Sequence, residues 1–243
     1  MKNVARLCLV GLVLTLFLSF IVERTVWGVA SAEDVAKALI AHSFPAAAVL
    51  SAGFEAGFSQ GRIDPTGALH LIEKLAAVQG DMRNKEKILL IITGALQDGL
   101  PAKTLVDKVA EGMTRNIPIY VILNGKNGQP RILGLEQRAH ILAEVRDLLY
   151  SKGVFIAEKG QTDTPSAIPL SHFDQLVSNI SAALASYLEG GGSPLEGQIL
   201  REEVGNRLSK MQGIIPAADV MLVLPRIKPE DLTHIALKVL NSQ

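Results

Sequence analysis

The stretch DPTGALHLIEKLAAVQG, residues 64–80, decides the fold class. Pro65 fits the first turn of a helix, where its missing N–H is harmless, and would break the middle of one. Apolar residues then recur at three- and four-residue spacing until Gly80, which stands where a helix end favours a left-handed residue. The same punctuation returns along the chain. Leu100-Pro101 precedes AKTLVDKVAEGM and Ser193-Pro194 precedes LEGQILREEVGNRLSKM. Pro45, Pro118, Pro169, Pro216 and Pro229 read as further starts, and Gly61, Gly99, Gly153 and Gly213 as further stops. With few β-branched alternations between them, this rhythm predicts an all-α protein.

The predicted helices cover 34–43, 45–60, 65–79, 84–98, 101–114, 132–151, 169–188, 194–211, 216–224 and 229–241. Ile117–Leu123 (IPIYVIL) has strand-like residues but no second convincing strand to pair with, so a short buried helix ended by Asn124-Gly125 is expected. NGKNGQP, 124–130, reads as a turn-rich loop. Four segments share an apolar residue, two polar ones, a turn residue and a second apolar or proline step: FSQGRID (58–64), LQDGLPA (96–102), MTRNIPI (113–119) and YSKGVFI (150–156). Their starts lie 38, 17 and 37 residues apart, near multiples of one helix plus turn. The expected architecture is therefore an array of short helical hairpins with a degenerate helical repeat. EKGQTDTPS (158–166) and EGGGS (189–193) read as linkers. The organisation that follows is a leader over 1–32, a helical array over 33–157, a linker over 158–168 and a C-terminal helical segment over 169–243 that packs on the array.

The leader differs in kind from the rest. Lys2 and Arg6 precede a charge-free run of 16 residues, Leu7–Val22, and Ala30-Ser31-Ala32 supplies a small-x-small cleavage site. As a helix the run spans about 24 Å, short of the roughly 30 Å hydrocarbon thickness. A secretory signal peptide is expected, giving a periplasmic or secreted protein. The ten residues ERTVWGVASA between core and cleavage site, with Trp27 suited to a membrane interface, leave an uncleaved inner-membrane anchor as the alternative. GLPAKTLVDKVAEG, 99–112, resembles a helix pattern of uncharacterised exported bacterial all-helical proteins; the resemblance covers one helix and implies no activity.

Composition narrows the function classes. The chain has 243 residues, 48% hydrophobic, 20% charged and 5% aromatic, with 24 basic residues against 24 acidic ones. Without the leader's Lys2, Arg6, Glu23 and Arg24 the balance becomes −2. No cluster of lysine or arginine supplies the basic surplus that phosphate neutralisation needs, so a nucleic-acid partner is not expected. The one cysteine, Cys8, lies in the apolar run, which leaves residues 33–243 without thiol or disulfide chemistry.

Several motifs carry a chemical reading beside a plain one. Gly57-Phe58-Ser59-Gln60-Gly61 fits the G-x-S-x-G nucleophile elbow and resembles that of α/β-hydrolase carboxylesterases, with Asp174 and His234 following in triad order. An elbow needs a strand before it, whereas VLSAGFEA is alanine-rich and helical, and a helix terminus is the preferred reading. Glu136, His140 and Glu144 share one helix face at metal-ligand spacing, yet such spacing also marks a solvated face. His70-x-x-Glu73 lacks the second such pair of a di-iron bundle. Lys103, Asp107 and Glu111 read as an ion-pairing stripe. Ser171 with Asp174 reads as a helix cap. Gly190–Gly192 lacks the Gly-Lys-Ser/Thr of a phosphate loop, and His42 carries no assigned role. No residue is assigned as catalytic, cofactor-binding or metal-ligating.

The expected function is binding or scaffolding in the cell envelope without catalysis, through an unknown protein partner. The alternative is an apolar or lipid ligand held between helices, motivated by KILLIITGAL (87–96) and DVMLVLPRI (219–227). A serine hydrolase through Ser59 is the remote third reading.

Overall fold

The computed structural model describes residues 30–128, 131–157, 167–211 and 213–241. The expected leader over 1–32, apart from Ala30–Ala32, and the segment 158–166 lie outside the described residues. The fold is all-α, with eleven α-helices among those described: α1 (Ala32–Ala41), α2 (Ala47–Ser59), α3 (Pro65–Ala77), α4 (Met82–Gln97), α5 (Lys103–Thr114), α6 (Ile119–Asn124), α7 (Leu135–Ser151), α8 (Leu170–Glu189), α9 (Gly197–Ser209), α10 (Ala217–Val223) and α11 (Pro229–Asn241). Each falls within about a turn of its expected span. The ambiguous IPIYVIL forms α6, with Ile119, Val121, Ile122 and Leu123 buried.

Two pairs of two-residue strands were not foreseen. β1 (Gly125–Lys126), in the loop expected over 124–130, pairs antiparallel with β2 (Ile132–Leu133), which takes the first two residues of the helix expected over 132–151. β3 (Phe155–Ile156) pairs in parallel with β4 (Ala167–Ile168). Such short ladders satisfy loop backbone groups and leave no periodicity to detect.

The recurring heptad has a local explanation. In each of the four segments its turn residue has positive φ: Gly61 (66°), Gly99 (69°), Asn116 (54°) and Gly153 (74°). The following N–H reaches back across the helix end, Arg62 to Gly57, Leu100 to Ala95, Ile117 to Gly112 and Val154 to Leu149, while the turn residue's own N–H bonds to Phe58, Leu96, Met113 or Tyr150. These are Schellman caps. What repeats is the device that stops a helix and turns its apolar flank back onto the core.

α1 packs on α2 and α3, α2 on α4, and α4 on α6 and α7; α7 then meets α8 and α11, and α9 packs against α8 and α11. One continuous core of buried side chains runs from Val35 to Val239. α2 crosses α4 at close range. Gly53 and Gly57, one turn apart, face Thr93 and Leu96, and a Cβ at Gly53 would stand 2.4 Å from that of Thr93. Arg62 fastens this layer to the next: its guanidinium donates to the Gly99 carbonyl and pairs with Asp174 of α8 at 3.2 Å.

Candidate functional site

The α8–α9 hairpin is built by EGGGS, which forms an ordered turn. The N–H groups of Gly190, Gly191 and Gly192 donate to Ser186, Leu188 and Tyr187. A Cβ at Gly192 would stand 2.3 Å from the Tyr187 ring, so the turn folds onto that side chain. Tyr187 in turn donates its hydroxyl to Glu196, and burial followed by this bond pushes the phenol up to about 12.

On α8 one face carries Ser178, Ser181, Ala182, Ala185, Ser186 and Glu189, at helical spacing. Small side chains there leave space between α5, α7, α8 and α9, a cavity of about 280 Å³. Leu105, Ile141 and Leu142 supply apolar wall, while Thr104, Lys108, Glu111, Arg138 and Arg207 supply polar groups. The volume sits at the lower edge of small-ligand sites.

Most charges around the cavity are already engaged. Asp107 pairs with Lys103 at 2.6 Å, and Glu111 with Lys108 at 3.1 Å and Arg115 at 2.9 Å. The Lys108 hydrogen bond first, with the charges of Lys108, Arg115 and Arg138, holds the Glu111 carboxyl below its ordinary value. Glu189 pairs with Arg138 and accepts the Leu133 N–H at 2.9 Å, which ties the cavity wall to β2. Two groups stand apart. Arg207, on α9, has no ion pair among the described residues. Ser181 is 94% buried and its Oγ has no hydrogen-bond partner there. A buried hydroxyl without a partner forfeits about 1–3 kcal/mol.

Two larger cavities hold the residues singled out in sequence. One of about 520 Å³ beside β1 brings Glu136 and His140 together with Asn124 and Gln137. The other, about 500 Å³, takes Glu144 with Asp147, Glu230, Asp231 and His234. The stripe on α7 opens onto both cavities, with His140 Nε2 and Glu144 Oε1 still 3.8 Å apart, and its carboxylates answer lysines: Glu136 pairs with Lys87 at 3.4 Å and Glu144 with Lys238 at 2.9 Å. Asp231 pairs with Lys152 at 2.8 Å. Among the described residues no group of three or more His, Cys, Asp or Glu side chains is placed to hold a metal ion.

The elbow motif has a different physical content. Ser59 is the last residue of α2, exposed, and donates to the Ala56 carbonyl at 2.8 Å. Gly57 is spent on packing against Ile63 and Leu96, and Gly61 on the cap. Asp174 belongs to Arg62, and His234 lies on α11 in the 500 Å³ cavity. The cap expected at Ser171 is not formed. Helix α8 starts at Leu170 after Pro169, whose fixed geometry opens the helix without a side-chain cap, and Asp174 reaches across to Arg62. Burial raises the Asp174 carboxyl to about 6, against the pull of Arg62. His70 and Glu73 are exposed on α3, and His42 is the C-cap of α1. Lys103 and Asp107 form the ion pair expected of their spacing, whereas Glu111 turns to Lys108 and Arg115.

The serines of α8 were legible as letters but not as a site. In a helix Ser and Ala carry no distinctive signal, and only the placement of α5 and α9 around them makes a cavity. Compared with known proteins, the chain matches no family model, no curated protein and no solved structure.

Proposed function

We propose that the chain is an exported cell-envelope protein of helical build that acts by binding and performs no catalysis. The observation that supports this reading best is the cavity of about 280 Å³ between α5, α7, α8 and α9, whose lining includes Arg207, without an ion pair among the described residues. A concave surface that mixes apolar wall with polar side chains suits recognition. The leader-like start and the one-helix resemblance at Gly99–Gly112 support export, and the shortness of the apolar run favours a removed leader over an anchor. Among the described residues no helix is long and apolar enough to cross a membrane.

The apolar-ligand alternative has less behind it. Ile88, Leu89, Ile92 and Leu96 of the first apolar stretch, and Val223 and Ile227 of the second, lie in the core and line none of the three cavities described. A serine hydrolase would need Ser59 freed from its helix terminus. Native mass spectrometry of protein recovered from its own envelope tests the proposal. A stoichiometric bound partner or polar ligand is expected; a co-purifying lipid supports the alternative, and a bare chain whose Ser59 takes a fluorophosphonate label overturns the proposal.

A further inference from the structure

Helix α10 has its polarity inverted. A helix at a water-facing surface buries its apolar stripe and turns its charges outward. α10 buries Val223 alone, and its one charged residue, Asp219, is half-buried, with Oδ2 2.8 Å from His172 Nδ1 of α8. Its apolar side chains go the other way. Met221 is 67% exposed, and Ala217 and Ala218 are exposed with it. The strip continues through Ile214, 56% exposed, and Pro216 before the helix, and through Pro225 after it. None of these residues lines any of the three cavities described, so the strip offers a raised apolar surface and no groove for a peptide.

Charge decides what such a strip fits. The chain after α9 runs back along that helix: a Cβ at Gly205 would stand 3.5 Å from Leu224 Cδ2, and Arg201 donates to the carbonyls of Leu224 at 3.2 Å and Ile227 at 2.9 Å. Lys210 precedes the strip at the end of α9, and Lys228 follows it. Both are exposed, and neither has an ion pair among the described residues. The carboxylates nearest in sequence are turned elsewhere. Asp231 pairs with Lys152 at 2.8 Å, Glu230 lines the cavity of about 500 Å³ beside α7, Glu202 accepts from Gln198, and the charge of Glu203 acts on Tyr187. An apolar strip with a lysine at each end and its one carboxylate turned inward complements the interface of an anionic bilayer, where headgroups meet the cations and acyl chains the apolar side chains. We infer that the strip Ile214–Pro225 docks the protein on an anionic lipid surface. At seven residues, about 10 Å, α10 lies on such a surface and does not span it. This contact is separate from the cavity between α5, α7, α8 and α9 and goes beyond the binding reading above.

An environment-sensitive fluorophore tests the inference. In the full chain carrying Cys8→Ser, a nitrobenzoxadiazole label is placed through Met221→Cys, and in a second sample through Glu73→Cys, exposed on α3. Vesicles of phosphatidylglycerol mixed with phosphatidylcholine are expected to brighten and blue-shift the label at position 221 and to leave that at 73 unchanged. The pair of labels thereby tells docking through α10 from simple tethering by the apolar leader. Phosphatidylcholine alone is expected to give little response. Lys210→Gln and Lys228→Gln are each expected to weaken the titration about five-fold, the attraction of one lysine to anionic headgroups. An unchanged label at 221, equal changes at 221 and 73, or a response that neither neutral lipid nor the lysine variants diminish overturns the inference. So does a shift at 221 that grows with protein concentration in the absence of vesicles, which assigns the strip to a second copy of the chain. Occupancy of the cavity, read by native mass spectrometry, stands or falls independently of all these outcomes.

Discussion

Replacing Gly53 by alanine tests the packing account through two opposed effects. Inside a helix the change gains about 1 kcal/mol of propensity. At this position the new Cβ would stand 2.4 Å from Thr93 Cβ and 3.1 Å from both Cγ2 and Oγ1. Thr93 cannot give way easily, being 2% exposed with its hydroxyl donating to Leu89 at 2.9 Å. Overpacking of a core costs about 1–3 kcal/mol, and a Cβ–Cβ conflict between two helix backbones belongs at the upper end. The net expectation is a loss of about 2 kcal/mol for Gly53→Ala. Gly94 on α4 supplies the control, because a Cβ there meets nothing within 4 Å. Gly94→Ala should gain about 1 kcal/mol from propensity alone. Urea unfolding followed by far-ultraviolet circular dichroism reads both. Opposite signs are required; two stabilised variants would refute the close α2–α4 crossing.

Other perturbations separate local devices. Asp174 is raised from 3.8 to about 6 in the folded chain by burial. The folded state therefore keeps a proton that the unfolded chain has released, so this group stabilises fully below about pH 4 and the contribution is lost as pH rises through 6, up to about 3 kcal/mol in all. Carboxyl-resolved NMR titration should place its midpoint near 6; a midpoint near 3.8 contradicts the buried geometry. Arg62→Met alone should cost about 3–5 kcal/mol by leaving Asp174 without its partner, and Arg62→Met with Asp174→Leu should cost clearly less, measured as a double-mutant cycle. A double-variant cost equal to the sum of the two single-variant costs would mean the pair is not coupled. Ser31 accepts from Asp34 N–H at 3.2 Å in a capping box. A chain beginning at Glu33 should lose about 1 kcal/mol, roughly 2–4 °C in Tm, against one beginning at Ala30; identical melting would remove the cap from the account.

The fold was readable because proline and glycine act locally. A proline has a fixed φ wherever it stands, and a glycine or asparagine at a Schellman position is demanded by positive φ, so Pro65, Gly61, Gly99, Asn116 and Gly153 announce boundaries without help from distant residues. The shared heptad was visible for the same reason, although its cause is the cap. Tertiary demands were not readable. Asp174 fits a helix cap by spacing and is claimed by Arg62 from another helix. Gly57 fits a nucleophile elbow by pattern and serves a helix crossing. Ser178, Ser181 and Ser186 become a cavity floor only through the approach of α5 and α9, which no local pattern encodes.

Hydrogen exchange tests the central claim, that the chain binds through its helical body, most directly. Protein recovered from its own envelope is compared with the same protein after unfolding, dialysis and refolding. The account predicts slower exchange in the recovered form, concentrated in α5 over 104–111 and α8 over 178–189. Identical exchange throughout the two forms would contradict it.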